Sequence, residues 1–227
     1  MEYRIIGTTM PLVEISLNKG ETIKSQAGSM KWMTEDVLME TGISGGVMGA
    51  LKRKLVGEGI FMNYFTGKAN AATVAFGHTY PGMIIPLDLS IKSYICQRRA
   101  FLCSTEDVKI DMALHKKLRV GLFGGEGFIM QKLSGRGTAF IEIDGECVEI
   151  NLAPNQSIKV ETGAVGAIEE SVTMNISLVK GIGNLSFGGE GLFLTTLTGP
   201  GNVWLQTMPI QSMAAELSKY FIKPRKG

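Results

Sequence analysis

One glycine-bearing phrase, written three times, constrains this chain more than any other feature. FGGEGFIMQKLSGRG at 123–137 returns as FGGEGLFLTTLTGPG at 187–201, and a looser copy, LVGEGIFMNYFTGKA, stands at 55–69. A second phrase precedes each of them. SQAGSMKWMTEDVLM at 25–39 aligns without gaps with CQRRAFLCSTEDVKI at 96–110, matching Gln26 to Gln97 and Thr34-Glu35-Asp36-Val37 to Thr105-Glu106-Asp107-Val108. VETGAVGAIEESVTM at 160–174 keeps Gly163, Glu170 and Val172 in phase, and VEISLNKGETI at 13–23 matches VEINLAPNQSI at 148–158. Two separated phrases recurring in one order point to an internal triplication. The copies run over 8–77, 78–145 and 146–208, with a tail at 209–227, and residues 1–227 read as a single compact unit.

Within a copy the local pattern is strand. TAFIEI at 138–143 and VEINL at 148–152 alternate and are rich in β-branched or aromatic residues, with Gly145 in the turn between them. Thr66-Gly67, Ser134-Gly135 and Thr198-Gly199 each separate two apolar runs and read as hairpin turns, glycine supplying a positive φ. Pro86, Pro154 and Pro200 fall at expected strand margins or turns. The expected fold is all-β: three similar β-sandwich or barrel units around a pseudo-threefold axis. Two segments read as helical. GGVMGALKRKL at 45–55 has apolar residues at helical spacing, though its glycines oppose a helix. The tail has Ser212 as N-cap and Met213, Leu217 and Tyr220 on one stripe, giving a short C-terminal helix.

The repeated glycines Gly57, Gly59, Gly125, Gly127, Gly189 and Gly191 open strands, where a missing Cβ permits a bulge or a close backbone approach. The symmetry also allows a sharper reading. Were the axis to pass near these turns, Glu58, Glu126 and Glu190 would converge as three carboxylates able to bind Ca²⁺, Mg²⁺ or Mn²⁺, and a metal-dependent enzyme is one alternative. The glycines do not form a nucleotide loop: GISGGVMGALK at 42–52 has neither the P-loop spacing nor its hydroxyl, and no βαβ alternation accompanies it.

Basic residues precede the phrases: Lys52, Arg53 and Lys54 before the first, Lys116, Lys117 and Arg119 before the second, Lys180 before the third. Brought together, they would make an anion-binding rim, so nucleic acid or another anionic ligand is the second alternative; a solvated face is the plainer account. Trp32, Tyr64, Phe101 and Phe140 could stack on bases but alternate as core residues do. A net charge of +2 requires neither nucleic acid nor a membrane. Two histidines, His78 and His115, are too few for a multi-histidine metal site, and Cys96, Cys103 and Cys147 lack metal spacing and read as reduced, packed thiols. No nucleophile elbow or zinc-protease motif occurs. Catalytic residues, cofactor ligands and a resident metal are therefore not assigned. Charged residues make up 19%, below the roughly 25% usual for soluble domains, which suggests surface covered by a partner or a second copy. No apolar run approaches the ~18 residues of a membrane-spanning helix and no secretory signal is visible, so the chain reads as soluble and cytoplasmic.

Three β-repeats, GGVMGALKR at 45–53 and the recurrent Gly-Glu-Gly phrase resemble the altered-inheritance-of-mitochondria family over residues 1–210. The resemblance implies a fold similar to the tryptophan-RNA-binding attenuator protein, with three shortened double-stranded β-helix units about a pseudo-threefold. Mitochondrial members are linked to inner-membrane organisation, whereas this sequence shows no presequence. The attenuator's tryptophan- and RNA-contacting residues have no counterparts here, and the family offers no catalytic residues to carry over. The expectation is a non-enzymatic binding or scaffold protein that self-associates, its protein partner unspecified.

Overall fold

In a computed structural model of the chain, the description covers residues 1–43, 61–77, 80–116, 127–178, 193–218 and 220. The segment at 45–55, with its expected helix, lies outside the described residues. An N-terminal strand, β1 (Glu2–Ile6), precedes three groups of six. The first group is β2 (Leu12–Leu17), β3 (Thr22–Gln26), β4 (Met30–Met33), β5 (Val37–Ile43), β6 (Phe61–Gly67) and β7 (Ala72–Gly77). The second is β8 (Gly82–Asp88), β9 (Tyr94–Gln97), β10 (Phe101–Thr105), β11 (Val108–Lys116), β12 (Phe128–Gly135) and β13 (Thr138–Asp144). The third is β14 (Cys147–Leu152), β15 (Ser157–Glu161), β16 (Val165–Glu169), β17 (Thr173–Leu178), β18 (Phe193–Thr198) and β19 (Gly201–Gln206). A helix, α1 (Ile210–Ser218), follows. The all-β expectation holds: among the described residues every strand pairing is antiparallel.

The described residues form four sheets, ordered β1-β2-β7-β4, β5-β6-β3-β10-β13-β8, β11-β12-β9-β16-β19-β14 and β15-β18-β17. Each group of six splits between two sheets. The trio β2-β7-β4 has the same order as β8-β13-β10 and β14-β19-β16, and β5-β6-β3 the same order as β11-β12-β9 and β17-β18-β15. The two six-stranded sheets are each made by joining one group to the next, through β3–β10 and β9–β16. A bulge interrupts the register at Met30/Trp32, at Phe101/Cys103 and at Val165/Ala167, which are the same columns of the gapless alignment.

Three apolar clusters lie between successive sheets. Val13, Ile15 and Phe76 of the first sheet meet Ile23, Phe65 and Phe140 of the second. Phe101 and Ile141 of the second meet Leu133 and Trp204 of the third. The last cluster joins Phe128, Val165 and Val203 to Leu197 of the fourth sheet. Strand β13 is buried on both faces, which a strict one-sided alternation would not allow.

The three turns expected to be hairpins are not. β6 and β7, β12 and β13, and β18 and β19 lie in different sheets, so Thr66-Gly67, Ser134-Gly135 and Thr198-Gly199 carry the chain from one layer to the next. Gly67 illustrates why glycine is needed there: its N–H donates to the Glu21 carbonyl, and an added Cβ would stand 2.7 Å from the Asn18 carbonyl oxygen. A neighbouring loop is packed against the turn, so close approach decides the residue. Gly135, by contrast, does adopt the expected positive φ, 109°, and so does Gly145 at 73°.

Pro86 is also not at a margin: it lies inside β8, tolerated because β8 is the outermost strand of its sheet. Ser212 is not the helix cap but sits within α1, whose first N–H, at Ile210, donates to Asp144 Oδ2 at 3.0 Å. The Met213–Leu217–Tyr220 stripe stays largely uncovered, and α1 buries none of its residues.

Candidate interaction surface

Most residues proposed from sequence as a site lie outside the described residues: Gly57, Gly59, Gly125, Gly189 and Gly191, the trio Glu58, Glu126 and Glu190, the basic residues Lys52, Arg53, Lys54, Lys117, Arg119 and Lys180, and His78. Gly127 has a φ of 83° immediately before β12. Lys116 ends β11 opposite Phe128. Among the described residues no three His, Cys, Asp or Glu side chains gather closely enough to hold a metal ion.

The interior polar groups join one part of the fold to another. Gln97 Nε2 donates to the carbonyls of Gly163 at 3.1 Å and Val165 at 2.6 Å, and Gln206 Nε2 adds a bond to Gly163 at 2.8 Å. Gln26, matched to Gln97 in the alignment, donates to the Arg98 carbonyl at 3.0 Å. Gln26 and Gln97 thus each fasten a joining strand to the turn of the next group. Lys24, buried in β3, donates to the carbonyls of Glu106 and Val108, and burial holds its ammonium below the usual lysine range. Cys96 and Cys103 are wholly buried, as expected of packed thiols, and Cys147 is partly so. Burial pushes Cys96 up to about 12 and Cys147 up to about 11, so none of these sulfurs is an activated nucleophile.

Glu142, in the middle of β13, is a carboxyl placed far from its ordinary behaviour. Burial, aided by repulsion from Asp144 and opposed by Lys31, raises its pKa to about 9. The carboxyl therefore stays protonated at neutral pH. Pro11, Pro81 and Ile84 surround it in a narrow apolar crevice that admits no substrate.

A wider cleft of about 470 Å³ opens beside Lys92, Ser93, Asn151, Glu169, Glu170 and Gly201. Its carboxylates are already engaged: Glu169 pairs with Lys92 at 2.7 Å and Glu170 with Lys132 at 2.5 Å. The bond from Lys132 holds Glu170 below the usual carboxylate range, and the bond Lys92 donates to Glu169 holds Lys92 above the usual lysine range. A smaller hollow is lined by Arg98, Arg99, Gly127, Phe128 and Gln211.

The surface offers more than the clefts. Strand β10 is buried at four of its five residues and β16 at all five, but β4, their counterpart, leaves Trp32 at 40% and Met33 at 37% exposure. β1, on the opposite edge of the same sheet, exposes Tyr3, Ile5 and Ile6. Of the four aromatic residues considered for stacking, Phe101 and Phe140 are core, Tyr64 packs against the core, and Trp32 is neither core nor covered. The alignment carries the missed signal: the Trp32 column holds Cys103 and Ala167 in the other copies. Cross-strand neighbours explain the exchange. Cys103 faces Phe140 and Ala167 faces Trp204, whereas Trp32 faces Ala75. Each pair combines one aromatic ring with one small residue, and the first copy places the ring on the edge strand.

The sequence profile described as mitochondrial biogenesis AIM24 matches residues 3–208. The chain belongs to the AIM24 family. Among AIM24-like relatives, an uncharacterised protein of Streptococcus pyogenes serotype M6 is 29% identical over 219 residues, covering 92% of this chain and 86% of that protein. A crystal structure of another Streptococcus pyogenes protein superposes with a TM-score of 0.77 at 27% identity, over 97% of this chain and 99% of its own. These likenesses cover the AIM24 unit from end to end and name no activity. Among the described residues no helix is long and apolar enough to cross a membrane.

Proposed function

We propose that this AIM24-family chain is a non-enzymatic scaffold that binds copies of itself, built from three successive copies of one β-unit. The recurring strand orders and the bulge in one alignment column support the triplication. One observation carries the functional reading: the edge strand β4 presents Trp32 and Met33 to solvent where its counterparts are buried. Apolar side chains on an unpaired edge invite strand addition, and self-association covers them. Sedimentation equilibrium of the full chain tests it. A mass above the 24.5 kDa of one chain at micromolar concentration is expected, and a monomer throughout would refute the reading.

A further inference from the structure

We infer that β4 of one chain pairs with β15 of a second copy, Trp32 opposite Val160, completing the last of the three cores. The inference rests on the self-association proposed above and specifies its surface.

The fold supplies the template twice. β3 joins β10 with Ser25 opposite Cys103, Lys24 opposite Ser104 and Ile23 opposite Thr105. β9 joins β16 with Cys96 opposite Ala167, Ile95 opposite Ile168 and Tyr94 opposite Glu169. Carried along the gapless alignment, the third join is Val160 opposite Trp32, Lys159 opposite Met33 and Ile158 opposite Thr34. That join is not made within the chain. Among the described residues β4 pairs with β7 alone and β15 with β18 alone. Both strands are unusually open: β3 is buried at three of five positions and β9 at three of four, but β15 at none.

The apolar core beside β15 is incomplete in the same place. Among the described residues eight partly buried apolar side chains border this third core, including Ile158 and Val160 of β15, against one for the first core. In the join between β9 and β16, Trp204 packs on Tyr94 with ring centroids 5.7 Å apart. The corresponding partners in the missing join are the Trp32–Ala75 pair and Ile158, so Trp32 would cover the exposed border. The geometry of the ladder agrees. Thr34 N–H donates to Thr73 on β7, so Thr34 and Trp32 direct their backbone groups inward and Met33 directs its own toward the free edge. Trp32 and Val160 then form a non-hydrogen-bonded pair, the closer of the two antiparallel arrangements. Since β4 and β15 are different surfaces, the contact is heterologous and extends to a closed ring or a growing row of chains.

The test is a disulfide trap in the full chain carrying Cys147→Ser. Trp32→Cys combined with Val160→Cys, mildly oxidised, is expected to give reductant-sensitive species of two or more chains, because the Cβ separation suits a disulfide. Trp32→Cys with Lys159→Cys, one residue out of register, should give none. A disulfide confined to the monomer would overturn the inference by showing that the chain closes on itself. Should the unmodified chain sediment as an oligomer while the trap stays uncross-linked, the surface is wrong and self-association stands. A monomer throughout removes both. A second readout needs no new cysteine: Trp204→Phe leaves Trp32 as sole tryptophan, and its emission should move to the blue as concentration rises. Emission that stays red where oligomers are present overturns the inference. Trp32→Ala should raise the dissociation constant about tenfold or more, as expected for a central aromatic anchor.

Discussion

Glu142→Gln should stabilise this protein in neutral and alkaline solution and leave it nearly unchanged in acid. The side chain lies in β13 between two cores, 6% exposed, with Asp144 two residues along the strand and Lys31 opposing their repulsion. Its pKa rises from an ordinary 4.5 to about 9 on folding. The unfolded chain gives up this proton as pH passes 4.5, whereas the folded chain holds it to about 9. Between those values the folded state binds more protons, so stability falls with rising pH by about 1.4 kcal/mol per unit. The accumulated loss is about 3 kcal/mol at pH 7 and about 6 kcal/mol above pH 9. Glutamine keeps the shape and cannot ionise, which removes the loss. Urea unfolding of both proteins at pH 5, 7 and 9 is the assay, and at pH 7 the midpoint of the variant should lie about 1 M or more higher. Cys103 adds a check, because Glu142 contributes to raising its thiol. A stability difference that does not change between pH 5 and 9, or one that favours the natural residue at pH 9, would refute the reasoning.

Other outcomes follow from the same interior. At pH 8 the thiols of Cys96, Cys103 and Cys147 should react with a disulfide reagent only slowly in the folded protein and as three equivalents after denaturation, since burial raises all three; a fast native equivalent would contradict this. Gln97→Leu withdraws the donor from the Gly163 and Val165 carbonyls and should cost about 1–3 kcal/mol in unfolding experiments, with a change under about 0.5 kcal/mol counting against the role given to this bond.

Local chemistry made much of the architecture readable. Alternation in runs such as VEINL, and turn glycine at Gly145, indicate strands and where they end, because side-chain direction and φ belong to one residue and its neighbours. The gapless alignment even places the bulges at Trp32, Cys103 and Ala167 in one column. Hidden from it was the partner of each strand. An apolar run, a glycine and another apolar run look alike whether the chain folds back on itself or crosses to the next sheet, and at Gly67 the difference lies in the loop of Asn18. The cap of α1 escaped for the same reason, since Asp144 is 66 residues away from Ile210. Glu142 looked like the polar half of an alternating strand because nothing in TAFIEI announces that both faces are covered.

By itself, then, the order of amino acids determined an all-β chain with recurring phrases, since strand period, turn chemistry and the recurrence of a phrase are local properties. Tertiary structure alone decided which strands lie side by side, that among the described residues β4 and β15 have no second neighbour, and that Trp32 on β4 is left exposed. Hydrogen bonds between strands join residues far apart in the chain, and their choice depends on how whole sheets pack.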